Sequence, residues 1–234
     1  FTDFLPLEQE PAFTVRYVRS RAELGSPDLV ILPGTKNTMG DLLWMRQNGL
    51  EGAVLRLAGE GVPVLGICGG YQMLGEWLED PEGVEEGGTL RGMGLLPART
   101  RFLPQKTRTQ ARGGAGVLPG FFRCLSGLPL SGYEIHMGRT DFSAPVSPFC
   151  RLSPFREGEK EDGACLGNVC GTYLHGLFDS GAARPLARAL LEKKGIAWQE
   201  EDGPQSLAAW KEEQYELLAA GVRRSLDMEA LYRI

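Results

Sequence analysis

The stretch VPVLGICGGYQMLG, residues 62 to 75, decides which kind of fold this chain adopts. A short apolar run ends at Ile67, and from Tyr71 onward the apolar residues recur with helical spacing. The pattern predicts a buried strand, a tight turn and a helix. Cys68 stands in the turn inside a G-x-C-x-G frame, in which small neighbours let the chain bend sharply and present one side chain above a sheet edge. We interpret Cys68 as a nucleophile rather than a buried structural thiol.

Composition describes an ordinary globular protein of one domain. The chain has 234 residues, of which 42% are hydrophobic and 24% charged, and its longest apolar runs have the length of strands. A net charge of −5 gives no basic surface for nucleic acid. We therefore expect a single domain over residues 1–234, with neither nucleic acid nor a membrane as its partner.

The cysteines indicate a reducing compartment. There are five of them, an odd number, and they form no CxxC pair of the kind that structural zinc sites use. We expect reduced thiols, a cytoplasmic location and no metal. Because the first residue is Phe1 rather than Met, we also expect the chain to be a piece of a longer protein whose missing part is N-terminal.

The spacing of apolar residues predicts different secondary structure before and after about residue 80. Residues 12–18 and 28–32 read as strands, and a helical pattern begins at Asp41, so the first third predicts alternating strands and helices around a parallel sheet. After about residue 80, short alternating segments predict antiparallel strands. Residues 105–117 read as a mobile hairpin tip and residues 157–162 as a solvated acidic loop. A closing amphipathic helix is expected to pack through Leu207, Trp210, Leu218, Val222 and Leu226.

A cysteine nucleophile needs a base, and the chain has only two histidines. His175 ends a strand-like stretch just before a glycine and a helix start, so its ring could project from the same sheet edge as Cys68. His136 lies in a strand whose alternation places it on one face with Glu134. We assign the base to His175.

Four segments together resemble one family. They are DLVILPGTKNTMGDL (28–42), VPVLGICGGYQMLG (62–75), GYEIHMGRT (132–140) and GTYLHGLFD (171–179), and they occur in the order found in the glutamine amidotransferase domains of cobyric acid synthases. The resemblance implies a flavodoxin-like α/β sandwich of the class I, or triad, amidotransferases, with a parallel central sheet and antiparallel additions. It also implies a glutaminase that releases ammonia from L-glutamine.

The same resemblance implies a partner outside this chain. In the family, an N-terminal ATP-dependent synthetase domain uses the ammonia to amidate carboxylate side chains of adenosylcobyrinic acid a,c-diamide, a corrinoid, in cobalamin biosynthesis. No G-x-x-x-x-G-K-[ST] phosphate loop occurs in these residues. We expect no cofactor in this domain, and ATP with Mg²⁺ in the synthetase domain.

Site residues follow from the match to the family motifs. Cys68 takes the place of the nucleophile and His175 that of the base. Class I relatives carry a glutamate two residues after the histidine, whereas this chain has Leu177, which cannot form a hydrogen bond. Asp179, Glu134 or a backbone carbonyl could orient the ring instead, and we favour a Cys-His dyad without a dedicated carboxylate.

The remaining site residues are those expected to bind the substrate. We expect the oxyanion to be met by the backbone N–H of Gly69 and by one from the turn at Gly34 and Thr35. The other residues expected to contact the substrate are Gln72, Glu134 and His136.

Three other functions compete with this interpretation. Cobyrinic acid a,c-diamide synthase or a cell-wall amidotransferase would share the glutaminase chemistry with another acceptor. An α/β-hydrolase would also use a G-x-C-x-G elbow, but it would place an acid between nucleophile and histidine and would lack the PGTKNT turn. A docking domain without catalysis would not need both Cys68 and His175, and ammonia release on adding glutamine separates it from an enzyme.

Overall fold

The computed structural model describes residues 2–154, 158–198 and 207–233. Its helices are α1 (Leu5–Gln9), α2 (Arg21–Leu24), α3 (Thr38–Gln47), α4 (Leu50–Gly59), α5 (Gly69–Met73), α6 (Ala183–Lys193), α7 (Leu207–Ser225) and α8 (Met228–Tyr232). Its strands are β1 (Val30–Leu32), β2 (Val64–Ile67), β3 (Trp77–Asp80), β4 (Gly88–Arg91), β5 (Ala98–Ala115), β6 (Pro129–Phe142), β7 (Cys150–Pro154), β8 (Lys160–Asp162), β9 (Ala164–Leu166), β10 (Val169–Thr172) and β11 (Leu174–His175). Short 3₁₀ segments cover Thr2–Phe4 and Gly120–Leu125, and a π turn covers Phe178–Ala182.

The first sheet carries the nucleophile. Its order is β1-β2-β10-β9, with β1, β2 and β10 parallel and β9 antiparallel at the edge. β2 is buried along its whole length, as its apolar run predicts for a central parallel strand. Helix α5 packs against all three parallel strands. This arrangement confirms the α/β fold with a parallel central sheet.

Glycines allow α5 to approach the sheet closely. A β-carbon on Gly70 would lie 2.1 Å from the carbonyl oxygen of Leu32, and one on Gly66 would lie 2.6 Å from the Cα of Tyr71. Neither position has room for a side chain. The glycine frame around Cys68 therefore serves helix-on-strand packing as well as the bend itself.

The second sheet is mostly antiparallel and carries the histidine. Its main path is β11-β6-β5-β3-β4, and β7 and β8 extend it from β5. Only Tyr173 separates β10 of the first sheet from β11 of the second, so the chain crosses between the sheets there. The two sheets thus meet where the segment GTYLHGLFD passes the nucleophile. The antiparallel additions predicted after residue 80 are confirmed.

Three local predictions are wrong. Residues 12–18 form no strand, although Phe13, Val15 and Val18 still pack against the core. Most of the predicted hairpin tip at 105–117 belongs to the long strand β5, which pairs with β6 over most of its length. Of the acidic run at 157–162, residue 157 lies outside the described residues, and Lys160–Asp162 form β8 with Asp162 buried.

Helix α7 forms but is not packed as predicted. Leu218 and Leu226 are 66% and 52% exposed, although they belong to the apolar set expected to face the core. Lys211 on this helix pairs with Asp179 at 3.0 Å. Helical spacing predicts a helix correctly but does not say what covers its apolar side. None of the helices in the described ranges is long and apolar enough to cross a membrane.

Two cysteines are linked, contrary to the expectation of reduced thiols. Cys165 on β9 and Cys170 on β10 lie directly opposite each other and form a disulfide. The remaining cysteines, Cys68, Cys124 and Cys150, are free. The sequence spacing does not reveal this pair, because the two residues become neighbours only through the antiparallel turn between β9 and β10.

Candidate active site

Cys68 occupies a strained turn between β2 and α5. Its φ is 51°, and it is the one non-glycine residue with positive φ in the part of the chain that the structure describes. Such a conformation costs on the order of 1–3 kcal/mol and persists only where the surroundings impose it. Here the Cys68 N–H donates to the Thr172 carbonyl at 2.9 Å, which ties the turn to β10. The predicted nucleophile elbow is therefore present.

His175 converges on Cys68 from the second sheet. A β-carbon on Gly34 would lie 3.0 Å from Cε1 of His175 and 3.5 Å from Cβ of Cys68, so both side chains meet over this glycine. The Tyr133 ring stacks on the imidazole with centroids 4.9 Å apart and an interplanar angle of 8°. The structure thus brings together the two residues that the sequence proposed as nucleophile and base.

The third group of the site is Asp3, which the sequence did not reveal. Its Oδ2 lies 2.7 Å from Nδ1 of His175. The favoured dyad without a carboxylate is therefore not what the structure shows. Asp179 instead pairs with Lys211, and the Glu134 carboxylate pairs with Lys160.

Aromatic packing holds Asp3 in place. The neighbouring Phe4 ring lies 6.1 Å from the Phe178 ring and 6.4 Å from the Tyr17 ring, measured between centroids. The Tyr17 hydroxyl in turn donates to Glu8 of α1 at 2.7 Å. The segment carrying Asp3 is thus anchored on both sides, and its carboxylate is 16% exposed.

Electrostatics favour an ion pair between Asp3 and His175. Burial alone would lower the pKa of His175, but its hydrogen bonds to Asp3 and Cys68 outweigh burial and raise that pKa to about 9. Burial would raise the pKa of Asp3, but the hydrogen bond and charge of His175 hold it below its ordinary value. The imidazole is therefore a strong base oriented through Nδ1, which leaves Nε2 for Cys68.

Because the chain has only two histidines, NMR can follow the titration of His175 directly. We expect His175 to titrate near pH 9, and His136, whose pKa burial lowers, to titrate below 6.5. Since the folded-state pKa of His175 is raised, its contribution to stability is complete below pH 6.5 and is lost as the pH rises towards 9. Asp3→Asn should lower the pKa of His175 clearly. An unchanged His175 titration in that variant would contradict the ion pair.

Two backbone N–H groups, those of Thr35 and Gly69, lie next to the nucleophile where the sequence predicts the oxyanion donors. A β-carbon on Gly69 would lie 3.0 Å from the backbone nitrogen of Thr35, so these two residues are in close contact next to Cys68. In the described part of the chain, neither the Thr35 nor the Gly69 N–H donates to another group. Both are available to an oxyanion.

The loop that carries Thr35 is held from several sides. Asn37 caps α3 by accepting from the Gly40 N–H at 2.9 Å, and the Thr38 hydroxyl donates to Gln72 at 3.0 Å. The Gln72 amide also donates to the Tyr173 hydroxyl at 3.2 Å. Gln72 therefore ties the loop to the junction of β10 and β11, and its expected contact with the substrate stays a prediction.

Glu134 and His136 lie behind the site. On β6 they share the face opposite to Tyr133, and His136 stacks on Tyr173 with centroids 3.8 Å apart. Within the described residues, neither side chain forms a hydrogen bond or ion pair with Cys68 or His175, and their expected contact with the substrate stays a prediction. In the ranges 2–154, 158–198 and 207–233, no group of three or more histidine, cysteine, aspartate or glutamate side chains is arranged to hold a metal ion.

The chain is similar to known proteins over its whole length. Cobyric acid synthases of Ruminiclostridium cellulolyticum and Citrobacter koseri are each 48% identical to this chain, over 238 and 241 residues that cover all of it and 46% of the relative. The chain thus spans about half the length of these curated relatives.

Solved structures show the same fold, and a family model matches most of the chain. A crystal structure described as glutamine amidotransferase aligns with a TM-score of 0.54 at 18% identity, covering 82% of this chain and 92% of that one. A chain from the structure of PurLQS from Thermotoga maritima aligns with a TM-score of 0.56 at the same identity and coverage, so both show the fold. The family model for the CobB/CobQ-like glutamine amidotransferase domain matches residues 1–183. The chain therefore belongs to the family of CobB/CobQ-like glutamine amidotransferase domains.

Proposed function

We propose that this chain is the glutaminase domain of a cobyric acid synthase. It hydrolyses L-glutamine and delivers ammonia to an N-terminal synthetase domain, which amidates side chains of adenosylcobyrinic acid a,c-diamide in cobalamin biosynthesis. The observation that carries the glutaminase step is the alignment of Cys68, His175 and Asp3. Identity of 43–48% to cobyric acid synthases over the whole chain supports the choice of acceptor.

The first half of the reaction forms a thioester. His175, whose raised pKa of about 9 favours the protonated ring, holds on Nε2 the proton taken from Cys68, and the sulfur attacks the carboxamide carbon of glutamine. Negative charge that develops on the amide oxygen is met by the N–H groups of Thr35 and Gly69. The C–N bond then breaks as His175 returns its proton to the nitrogen, which leaves as ammonia, and the glutamyl group stays on Cys68.

The second half restores the enzyme. Water attacks the thioester carbon while His175 takes a proton from it, and the same two N–H groups stabilise the second oxyanion. The C–S bond breaks, glutamate leaves, and the proton passes from His175 back to Cys68. Asp3 keeps the imidazole in one orientation and stabilises its charged form in both halves.

The partner and location complete the proposal. ATP and Mg²⁺ belong to the synthetase domain, and this domain contributes only ammonia. We place the reaction in the cytoplasm, where ATP is available. The acidic overall charge of −5 offers no general surface for nucleic acid.

The proposal is tested in two separable steps. The purified chain should release ammonia and glutamate from glutamine in equal amounts, and asparagine should be a much poorer substrate. Next, the chain should replace the matching segment of the Ruminiclostridium cellulolyticum relative and support glutamine-dependent amidation of the corrinoid. Glutamine hydrolysis without corrinoid amidation would refute the acceptor, and no hydrolysis in either form would refute the glutaminase.

Gly34 should control how Cys68 and His175 are placed relative to each other. In Gly34→Ala, the new methyl group presses on the His175 ring at 3.0 Å, and displacing reacting groups by a fraction of an ångström is costly. We expect kcat for glutamine hydrolysis to fall about 10-fold or more. The matched control is Gly52→Ala in α4, where no atom lies within 4 Å of the new carbon. Equal activity of the two variants would contradict the contact over Gly34.

A further inference from the structure

Asp162 is a buried carboxylate that the proposed mechanism does not use. It is the last residue of β8 and is 6% exposed. Only Gly163 separates β8, in the second sheet, from β9, in the first, so the chain crosses between the sheets at this point. A second such crossing, at Tyr173, joins β10 to β11. Asp162 therefore lies at one crossing while the other leads into the active site.

Gly163 brings the two crossings into backbone contact. Its φ is 73°, and a β-carbon added to it would lie 2.2 Å from the carbonyl oxygen of Gly171 on β10. A side chain at this position is therefore excluded both by conformation and by space. As a result, the carboxylate of the preceding Asp162 is held next to the end of β10.

Hydrogen bonds join Asp162 to the second crossing. Its Oδ2 accepts a hydrogen bond from the Thr172 hydroxyl and another from the Tyr173 N–H at 3.1 Å. The Thr172 hydroxyl oxygen in turn accepts from the Leu174 N–H at 3.0 Å. Cys150, opposite Asp162 on β7, places its Sγ 3.7 Å from the same Oδ2. The carboxylate thus fixes three successive residues of the crossing.

Both reacting groups depend on this crossing. The Thr172 carbonyl accepts the Cys68 N–H at 2.9 Å, and it thereby holds the turn in which Cys68 has its φ of 51°. His175 follows Thr172 by three residues and has no helix between them to set its position independently. One short segment therefore holds the backbone of the nucleophile and carries the base.

The charge of Asp162 is unfavourable for the fold. Burial raises its pKa to about 6 and the nearby Glu134 raises it further, although Thr172, Lys160 and Tyr173 act against this. Because the pKa in the folded state exceeds the ordinary value of 3.8, the group contributes stability below pH 3.8 and loses it as the pH rises through 6. Stability alone therefore does not explain a carboxylate here.

We propose that Asp162 is a positioning residue for glutamine hydrolysis, which fixes Cys68 relative to His175 by holding Thr172 and Tyr173. The inference rests on the proposed function. In the described part of the chain, Asp162 forms no hydrogen bond with Cys68 or His175, so it acts through the backbone of the crossing. A displacement of reacting groups by about 1 Å can cost about 10²-fold in rate, so such a role is measurable.

Kinetics and stability together test the role. In Asp162→Asn, kcat for glutamine hydrolysis should fall at least about 10-fold while KM stays within about 2-fold. The Tm at neutral pH should not fall, because the variant removes a buried charge. The matched control is Glu161→Gln, the neighbouring residue of β8, which is 57% exposed and pairs with Arg151, and it should leave all three quantities unchanged.

Hydrogen exchange gives a readout that needs no turnover. Protection of the Cys68 amide, measured by NMR, should fall at least about 10-fold in Asp162→Asn, because its acceptor on Thr172 is loosened. The Val30 amide, which donates to the Pro63 carbonyl at 3.0 Å in the same sheet, should keep its protection. Equal losses at both amides, or a Tm that falls with kcat, would show a general structural role and overturn the proposal.

Thr172 decides the matter if Asp162→Asn does not fold. Thr172→Val keeps the shape but removes the hydroxyl, and it should lower kcat as Asp162→Asn is expected to do, whereas Thr172→Ser should restore most of that loss. Equal kcat in the two variants would overturn the proposal, as would unchanged kcat and Cys68 protection in Asp162→Asn. Absence of hydrolysis by the wild-type chain would instead refute the glutaminase, and the Cys68 amide would still report on Asp162.

Discussion

Cys68→Ser should abolish glutamine hydrolysis, with kcat falling at least about 10³-fold. A serine hydroxyl in the same elbow is a far weaker nucleophile than the thiol, and His175 and the two N–H donors are arranged around a sulfur atom. The measurement is steady-state ammonia release at saturating glutamine. In the complete synthase the same variant should keep its amidation activity with external ammonia, because glutamine serves only as the nitrogen source.

The control for this variant is Cys124→Ser. Cys124 is a free, partly buried cysteine in the 3₁₀ segment Gly120–Leu125, far from the site in sequence, and burial raises the pKa of its thiol to about 11. We expect near-normal turnover from it. Turnover by Cys68→Ser that matches this control would remove Cys68 from the chemistry, and loss of glutamine-dependent and ammonia-dependent amidation together would show a structural defect.

Asp3→Asn should lower kcat roughly 10²-fold or more. The asparagine is nearly isosteric, but it no longer stabilises the imidazolium, and its amide can turn an N–H towards Nδ1 and favour the wrong tautomer. KM for glutamine should change little, since Asp3 touches the histidine and not the substrate. A pH profile provides a second readout, because the limb that reports His175 should shift to lower pH.

Asp179→Asn is the matched control for Asp3→Asn. Asp179 lies four residues after His175, but its carboxylate pairs with Lys211 and is 38% exposed. Removing its charge should leave kcat within about 2-fold. If Asp179→Asn were as damaging as Asp3→Asn, the ion pair at His175 Nδ1 would not be the orienting contact.

The positions of Cys68 and His175 could be predicted because local sequence constrains them. A strand ending in G-x-C-x-G leaves few conformations for Cys68, and parallel strands place the segment that ends at His175 beside it. With two histidines to choose from, the strand pattern is enough to select the one that lies beside Cys68. The Gly34 turn followed from the same reasoning, because it ends the neighbouring parallel strand.

Asp3 could not be predicted, since it is 172 residues away from His175 in sequence. No periodicity or motif marks a single aspartate in a short N-terminal segment. The only related signal was negative: Leu177 stands where class I relatives carry a glutamate, which leaves the ring in need of another acceptor. Only the packing of Phe4 on Phe178 shows how the segment reaches the site.

The wrong predictions about the fold have the same cause as the missed Asp3, namely contacts between segments distant in sequence. The glycine and cationic residues of 105–117 predict a mobile tip, yet pairing of β5 with β6 overrides that local preference. The spacing of the apolar residues in α7 predicts that they face the core, although Leu218 and Val222 are exposed. In both cases the partner of an element, and not its own sequence, decided the outcome.

The most direct test of the central claim is to trap the glutamyl thioester. Wild-type chain is mixed with radiolabelled glutamine, quenched in acid during turnover and digested, and the labelled peptide is identified by mass spectrometry. We predict label on the peptide that contains Cys68, labile to hydroxylamine and missing in Cys68→Ser. Steady release of ammonia with no label on Cys68, or with label on another residue, would contradict the account.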